Sequence, residues 1–101
     1  MPPFGRLVAV IVSGKVEALV DAQAVSLARM APGYDGIVVL GPAPAPLALL
    51  RGRHRRRLLM KLKPGIAPQP IITEWLARLG TAKRREKGVR IQIDVDPQSF
   101  L

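Results

Sequence analysis

The chain has 101 residues, close to the commonest size of one domain, and its 49% apolar content suffices for one core and argues against a disordered tail. Sixteen lysines and arginines against seven acids give a net charge of +9, the electrostatic footprint expected of a nucleic-acid-binding domain. With no cysteine, disulfides, zinc ribbons and thiol catalysis are excluded; the apolar run at 7–12 is too short for a signal peptide or a membrane span, so a cytoplasmic location follows by elimination.

The lead-in MPPF reads as extended, because proline cannot join a central ladder. RLVAVIV at 6–12 is β-branched and apolar on both parities, as in a strand buried on both faces. Ser13-Gly14 offers a turn and a helix cap. From Lys15 to Ala31, Val16, Leu19, Val20, Leu27 and Met30 fall at helical spacing on one face, and Pro32-Gly33 ends that helix. IVVL at 37–40 predicts a short second strand closed by Gly41-Pro42. PAPAP at 42–46 predicts a stiff polyproline-like arm, and LALL at 47–50 one helical turn.

RRLLMKLK at 56–63 predicts the third strand, ended by Pro64-Gly65. A second helix is expected over 69–79, with Pro70 in its first turn and Ile72, Trp75, Leu76 and Leu79 as its buried stripe. TAKRREKG at 81–88 is a basic loop, and VRIQIDV at 89–95 alternates cleanly: Val89, Ile91, Ile93 and Val95 face one way, Arg90, Gln92 and Asp94 the other. The order is βαββαβ. It predicts an α+β fold, the split βαβ or ferredoxin-like arrangement, in which two helices cover one face of a four-stranded antiparallel sheet. One domain over 1–101 is expected.

Catalysis finds little support. Ser13-Gly14-Lys15 is a strand-to-helix turn that could at most hold an anion at a helix N-terminus, and no G-x-x-x-x-G-K-[ST] loop exists. Asp94 and Asp96 suggest a turn rather than a metal pair, because Asp96 precedes a proline at a strand end. His54, the single histidine, has no nucleophile partner and reads as a contact or spacer. No cofactor and no enzymatic activity are expected of the domain by itself.

The charge map is more informative. Residues 51–63 carry seven cations and no acid: Arg51, Arg53, Arg55, Arg56, Arg57, Lys61 and Lys63. Residues 83–90 carry five more, Lys83, Arg84, Arg85, Lys87 and Arg90, against Glu86 alone. These twelve are the candidate DNA-binding residues. Strand alternation puts Leu58, Met60 and Leu62 in the core, which sends Arg55, Arg57, Lys61 and Lys63 to the opposite face and lets Arg90 join them. The orientation of His54 and Arg56 stays open. A sheet that stacks bases carries Phe or Tyr on alternate strand positions. Here Phe4 and Tyr34 fall in connections and Trp75 on an apolar helix stripe, which favours binding to the phosphate backbone over base reading. Edge protection, which needs one or two lysines, does not account for so many cations.

Three segments carry a family resemblance: PPFGRLVAVIVSG, VLGPAPAPLALLRGRHRRRLLMK and RIQIDVDPQSFL. Together they resemble the C-terminal domain family of primosomal protein N′ (PriA), the bacterial replication-restart DNA helicase. The resemblance spans essentially the whole chain, and GPAPAPL before RGR and the terminal IDVDPQSFL are its most specific features. It implies one end of a larger cytoplasmic, nucleoid-associated 3′–5′ helicase whose ATP, Mg and Zn sites lie in other domains. It also implies a fold similar to a βαββαβ protein of the small ribosomal subunit. The implied role is binding forked or single-stranded DNA, alongside contacts with the rest of the helicase, single-stranded DNA-binding protein and other primosome proteins. Family members often carry aromatics within the RGR-x-R-x segment, where this chain has His54 and Arg56. The resemblance supplies no individual contact residue.

Two readings therefore compete: a DNA-binding module, and a docking module whose sheet face packs on the helicase core or on a replication partner. The apolar outward parity of residues 6–12 favours the second. A ribosomal or RNA-binding reading rests on fold analogy and charge alone.

Overall fold

The computed structural model describes residues 5–81 and 88–96. Its elements run β1 (Arg6–Gly14), α1 (Glu17–Met30), β2 (Ile37–Leu50), β3 (Arg53–Leu62), α2 (Pro68–Thr81) and β4 (Val89–Val95). The four strands form one antiparallel sheet in the order β2-β3-β1-β4. The fold is α+β, and both helices pack on the same face of the sheet.

Period-2 alternation builds that packed face. Val8, Val10 and Val12 of β1 stand beside Met60, Leu58 and Arg56 of β3, and beside Val95, Ile93 and Ile91 of β4. Val8, Val12, Leu58, Met60 and Leu62 are fully buried against Val20, Ala24 and Leu27 of α1 and Ile72, Trp75 and Leu79 of α2. Burying each large aliphatic side chain contributes about 1.5–3 kcal/mol, so this layer is the main source of stability. Trp75 is core: its indole Nε1 donates to the Leu27 carbonyl at 2.9 Å, satisfying the one polar atom of an otherwise apolar side chain.

The helices depart from expectation at their margins. Instead of turning at Ser13-Gly14, β1 continues through Gly14, and α1 is capped at Val16 with no side-chain cap bond. Gly14 is a packing position, because a Cβ there would meet the Gly88 carbonyl at 3.0 Å and Val20 at 3.1 Å. Val16 is exposed and does not belong to the buried stripe. Leu76 is also exposed, since the stripe of α2 centres on Ile72, Trp75 and Leu79 and leaves position 76 at its margin. Tyr34 Oη donates to Glu74 at 2.6 Å, and Arg78 pairs with the same carboxylate at 2.7 Å while donating to the Met30 carbonyl at 3.2 Å. These bonds fasten the α1–β2 connection to α2, and the Glu74 carboxylate holds the Tyr34 phenol protonated above the usual tyrosine range.

The larger correction concerns residues 42–50. Neither a free arm nor a helical turn forms; β2 runs unbroken from Ile37 to Leu50, with irregularities between Leu40 and Ala43 and between Pro44 and Leu49. Proline is tolerated because β2 is an edge strand. Prolines at 42, 44 and 46 also remove three backbone donors from this edge, which blunts it against further pairing. Gly41 allows the chain to bend there: its φ is +106°, and a Cβ would lie 2.6 Å from the Arg57 carbonyl. LALL is strand because it is one arm of a hairpin. Leu50 pairs with Arg53 across Arg51-Gly52, whose φ values of 52° and 77° are those of a tight turn matched to strand twist. The same hairpin draws β3 forward to Arg53, three residues earlier than alternation alone places it.

Beyond β4, Asp96 closes the sheet end. Its carboxylate accepts from the Leu7 backbone N–H at 3.0 Å and from Arg6 Nε at 2.6 Å, and its own N–H donates to the Leu7 carbonyl at 2.6 Å. The Leu7 bond, reinforced by Arg6, holds the Asp96 carboxyl below the usual aspartate range. A lowered folded-state pKa contributes stability at pH values above the unfolded carboxyl's pKa, and that contribution is lost as pH falls through the folded value. Thus D96N should flatten the acid limb of stability against pH while leaving its shape near neutrality unchanged, as read by urea denaturation from pH 7 to 3. In the core, L58A should cost about 2–5 kcal/mol, seen as a lower denaturation midpoint at unchanged slope.

Candidate nucleic-acid interface

The face of the sheet opposite the helices collects the alternate residues of each strand. Register defines its rows. Leu50 stands beside Arg53; Arg55, Ser13 and Arg90 form the next row; then come Ala43, Arg57, Ile11 and Gln92. Leu40, Leu59, Ala9 and Asp94 follow, and Val38, Lys61 and Leu7 form the last. Cations therefore concentrate at the end of the sheet nearest the β2–β3 hairpin, and an aliphatic band crosses the middle.

Of the twelve cations singled out in the sequence, this face brings together Arg53, Arg55, Arg57, Lys61 and Arg90. Alternate residues on one strand lie about 6.8 Å apart, so Arg53, Arg55 and Arg57 form a ladder of like charge that favours an anionic partner. Arg51 sits in the exposed hairpin turn, and Lys63 follows the end of β3, beside Gly36. With Lys61, Lys63 borders a second hollow of about 520 Å³ between Tyr34–Val38 and Lys61–Pro64. Lys83, Arg84, Arg85 and Lys87 lie outside the described residues.

Arg56 and His54 go elsewhere. Both share parity with Leu58 and project to the helix side, where Arg56 pairs with Glu17 and Asp21, each at 2.8 Å. His54 Nδ1 lies 3.7 Å from the same Glu17 carboxylate. The Arg56 side chain is only 15% exposed, so its charge is held by α1 rather than offered to a partner. One position separates it from Arg55 and Arg57, and that single step reverses its role.

Near the hairpin a hollow of about 190 Å³ is lined by Ser13, Arg53, Arg55, Arg90 and Gln92 over Ile11 and Leu50. Arg53 Nη2 donates to the Ser13 carbonyl at 3.2 Å and lies 3.5 Å from its hydroxyl. Ser13 and Gln92 were not candidates from the sequence, because neither is charged; the parity that sorted the arginines also places them here. The described strands carry no Phe, Tyr or Trp, so aromatic stacking has no platform on them. Among the described residues no cluster of histidine, aspartate or glutamate side chains could hold a metal ion. No described helix is long and apolar enough to cross a membrane.

Comparison with known proteins supplies the lineage. The model of the family described as primosomal protein N C-terminal domain matches residues 1–98. The chain belongs to this family. As a primosomal protein N C-terminal domain, it is similar to the replication restart protein PriA of Rickettsia conorii, at 32% identity over 100 residues, 99% of this chain and 15% of that protein. The corresponding protein of Rickettsia felis is 31% identical over the same share. The probable replication restart protein PriA of Deinococcus radiodurans is 34% identical over 97% of this chain and 10% of its own length. The domain thus spans about a tenth to a seventh of the length of these relatives.

The ion pairs of Arg56 imply a modest coupling, since both carboxylates are more than half exposed. A double-mutant cycle on Arg56 and Glu17, read by chemical denaturation, should give about 0.2–1 kcal/mol at low salt and less at high salt.

Proposed function

We propose that the chain is a non-catalytic DNA-binding module of a replication-restart helicase, holding forked or single-stranded DNA mainly through its phosphate backbone. The observation that carries this reading is the alignment of Arg53, Arg55, Arg57, Lys61 and Arg90 on one helix-free sheet face. Neutralising phosphates with such a ladder releases counterions and gives salt-dependent affinity without sequence preference. The lack of Phe, Tyr and Trp on the described strands supports backbone contact over base stacking. Relatives named as replication restart proteins support the setting: a bacterial cytoplasm, DNA, the rest of a helicase and the primosome. In this reading ATP, Mg and Zn belong to other domains of the parent protein, and single-stranded DNA-binding protein is a candidate partner. The βαββαβ order with sheet order β2-β3-β1-β4 fits the split βαβ, ferredoxin-like arrangement.

A second reading is favoured by one feature. Exposed Leu40 sits beside Leu59, and exposed Val38 follows on the same face beside Lys61, an apolar band suited to packing on the helicase core or on a replication partner. Lys61 shares a row with Val38, but the arginines lie in rows nearer the hairpin, so the two roles are compatible.

The test is R53A/R55A/R57A, measured by fluorescence anisotropy with fork and single-strand oligonucleotides of unrelated sequence. Affinity should fall about equally for all sequences, and the slope of log affinity against log salt should shrink by about 0.7 per lost contact on single strands. R56A, whose charge is held by α1, should leave that slope unchanged. A triple variant that is folded by circular dichroism and binds like the parent would remove the face from consideration.

A further inference from the structure

The cations of the open face are not evenly spread, and the hollow near the hairpin differs from a merely charged surface. Arg55 and Arg90 flank Ser13 in one row, on strands to either side of β1. Adjacent strands are about 4.8 Å apart, so the two arginine backbones stand roughly 10 Å from each other, with the small Ser13 side chain between them. Arg53 reaches in from the row above, already turned toward Ser13. Gln92 adds an amide from the row below, and Ile11 and Leu50 add apolar lining. Three guanidinium groups, a hydroxyl and an amide therefore border a space of about 190 Å³. That lies below the roughly 300–1,000 Å³ of pockets for drug-sized molecules, so the space suits a small anionic group and not a whole nucleoside.

We propose that this hollow is a seat for one phosphate group, gripped by Arg53, Arg55 and Arg90 and oriented by Ser13 and Gln92. The proposal deepens the DNA-binding reading and rests on it for the source of the phosphate. Guanidinium forks match phosphate oxygens in pairs, and charge-assisted bonds of this kind are stronger than neutral ones. A tetrahedral anion with acceptors on every side also uses the neutral donors, which a diffuse charge contact leaves idle. The seat would fix a strand at one point on the sheet, and the remaining cations, Arg57 and Lys61, would track the backbone away from it.

The decisive variant keeps every charge: S13A/Q92L. The 101-residue chain is titrated with inorganic phosphate, with chloride at matched ionic strength, and with oligothymidylates bearing either a 5′-phosphate or a 5′-hydroxyl. Side-chain NMR signals of the arginines and Gln92 provide the readout. Saturable shifts at Arg53, Arg55, Arg90 and Gln92 with phosphate and none with chloride are expected. The double variant should weaken phosphate binding about tenfold or more, as for the loss of hydrogen bonds to a charged acceptor. Tighter binding of the 5′-phosphorylated strand assigns the seat to a strand end, and equal binding assigns it to an internal phosphodiester. Identical, non-saturating responses to phosphate and chloride, with the folded double variant unchanged, would overturn the seat even if oligonucleotides still bind. Saturable phosphate binding with no oligonucleotide binding would leave the seat standing and overturn the DNA-binding reading.

Discussion

Everything on the surface of this domain depends on how β3 is anchored. Leu58, Met60 and Leu62 are fully buried beneath two helices, and their burial fixes the register of the strand against β1. A slip of one residue would lift three large apolar side chains into water and drive arginines into the core, so the register has no close competitor. Once it is fixed, every odd-numbered residue from Arg53 to Lys61 must lie on the far face. The ladder of cations is thus a geometric consequence of the hydrophobic core.

The same constraint divides the arginine cluster into parts with different fates. Arg55 and Arg57 face outward, whereas Arg56 lies between them in sequence and points back to Glu17 and Asp21 on α1. Those two acids offset charge on the helix side only. On the open face of the described strands Asp94 is the acid, and it stands in the aliphatic row, away from the hairpin where the arginines gather. Net charge alone would have treated these cations as equivalent; strand geometry and the placement of a few carboxylates make them unlike.

Much of this was legible in the sequence, and the failures are physically specific. Alternation in VRIQIDV and LLMKL identified both strands and their buried sides, because period 2 against a packed layer is a strong local signal. The outward set Arg55, Arg57, Lys61 and Arg90 followed from it, whereas Lys63, expected with them, lies past the end of β3 beside Gly36. Residues 42–50 were misread because proline spacing and LALL have little strand character alone; their conformation is set by pairing with β3, a tertiary effect that overrides local propensity. Arg51-Gly52 was the missed cue, a two-residue turn hidden inside a charge run. Ser13 and Gln92 were overlooked because a search for charge passes over neutral donors. The clamp between Arg6, Leu7 and Asp96 joins residues about ninety positions apart, and nothing local announces it.

The face therefore combines an aliphatic band, a graded field of cations and a pocketed end, all built on one rigid sheet. The most direct measurement of whether it meets DNA is a backbone amide chemical-shift titration of the 101-residue chain with a model fork. Shifts confined to Arg53–Arg57, Ile11–Ser13 and Arg90–Gln92, and weakening as salt is raised, are the predicted result. Shifts confined to the outer surfaces of α1 and α2, or no shifts at low salt, would contradict it.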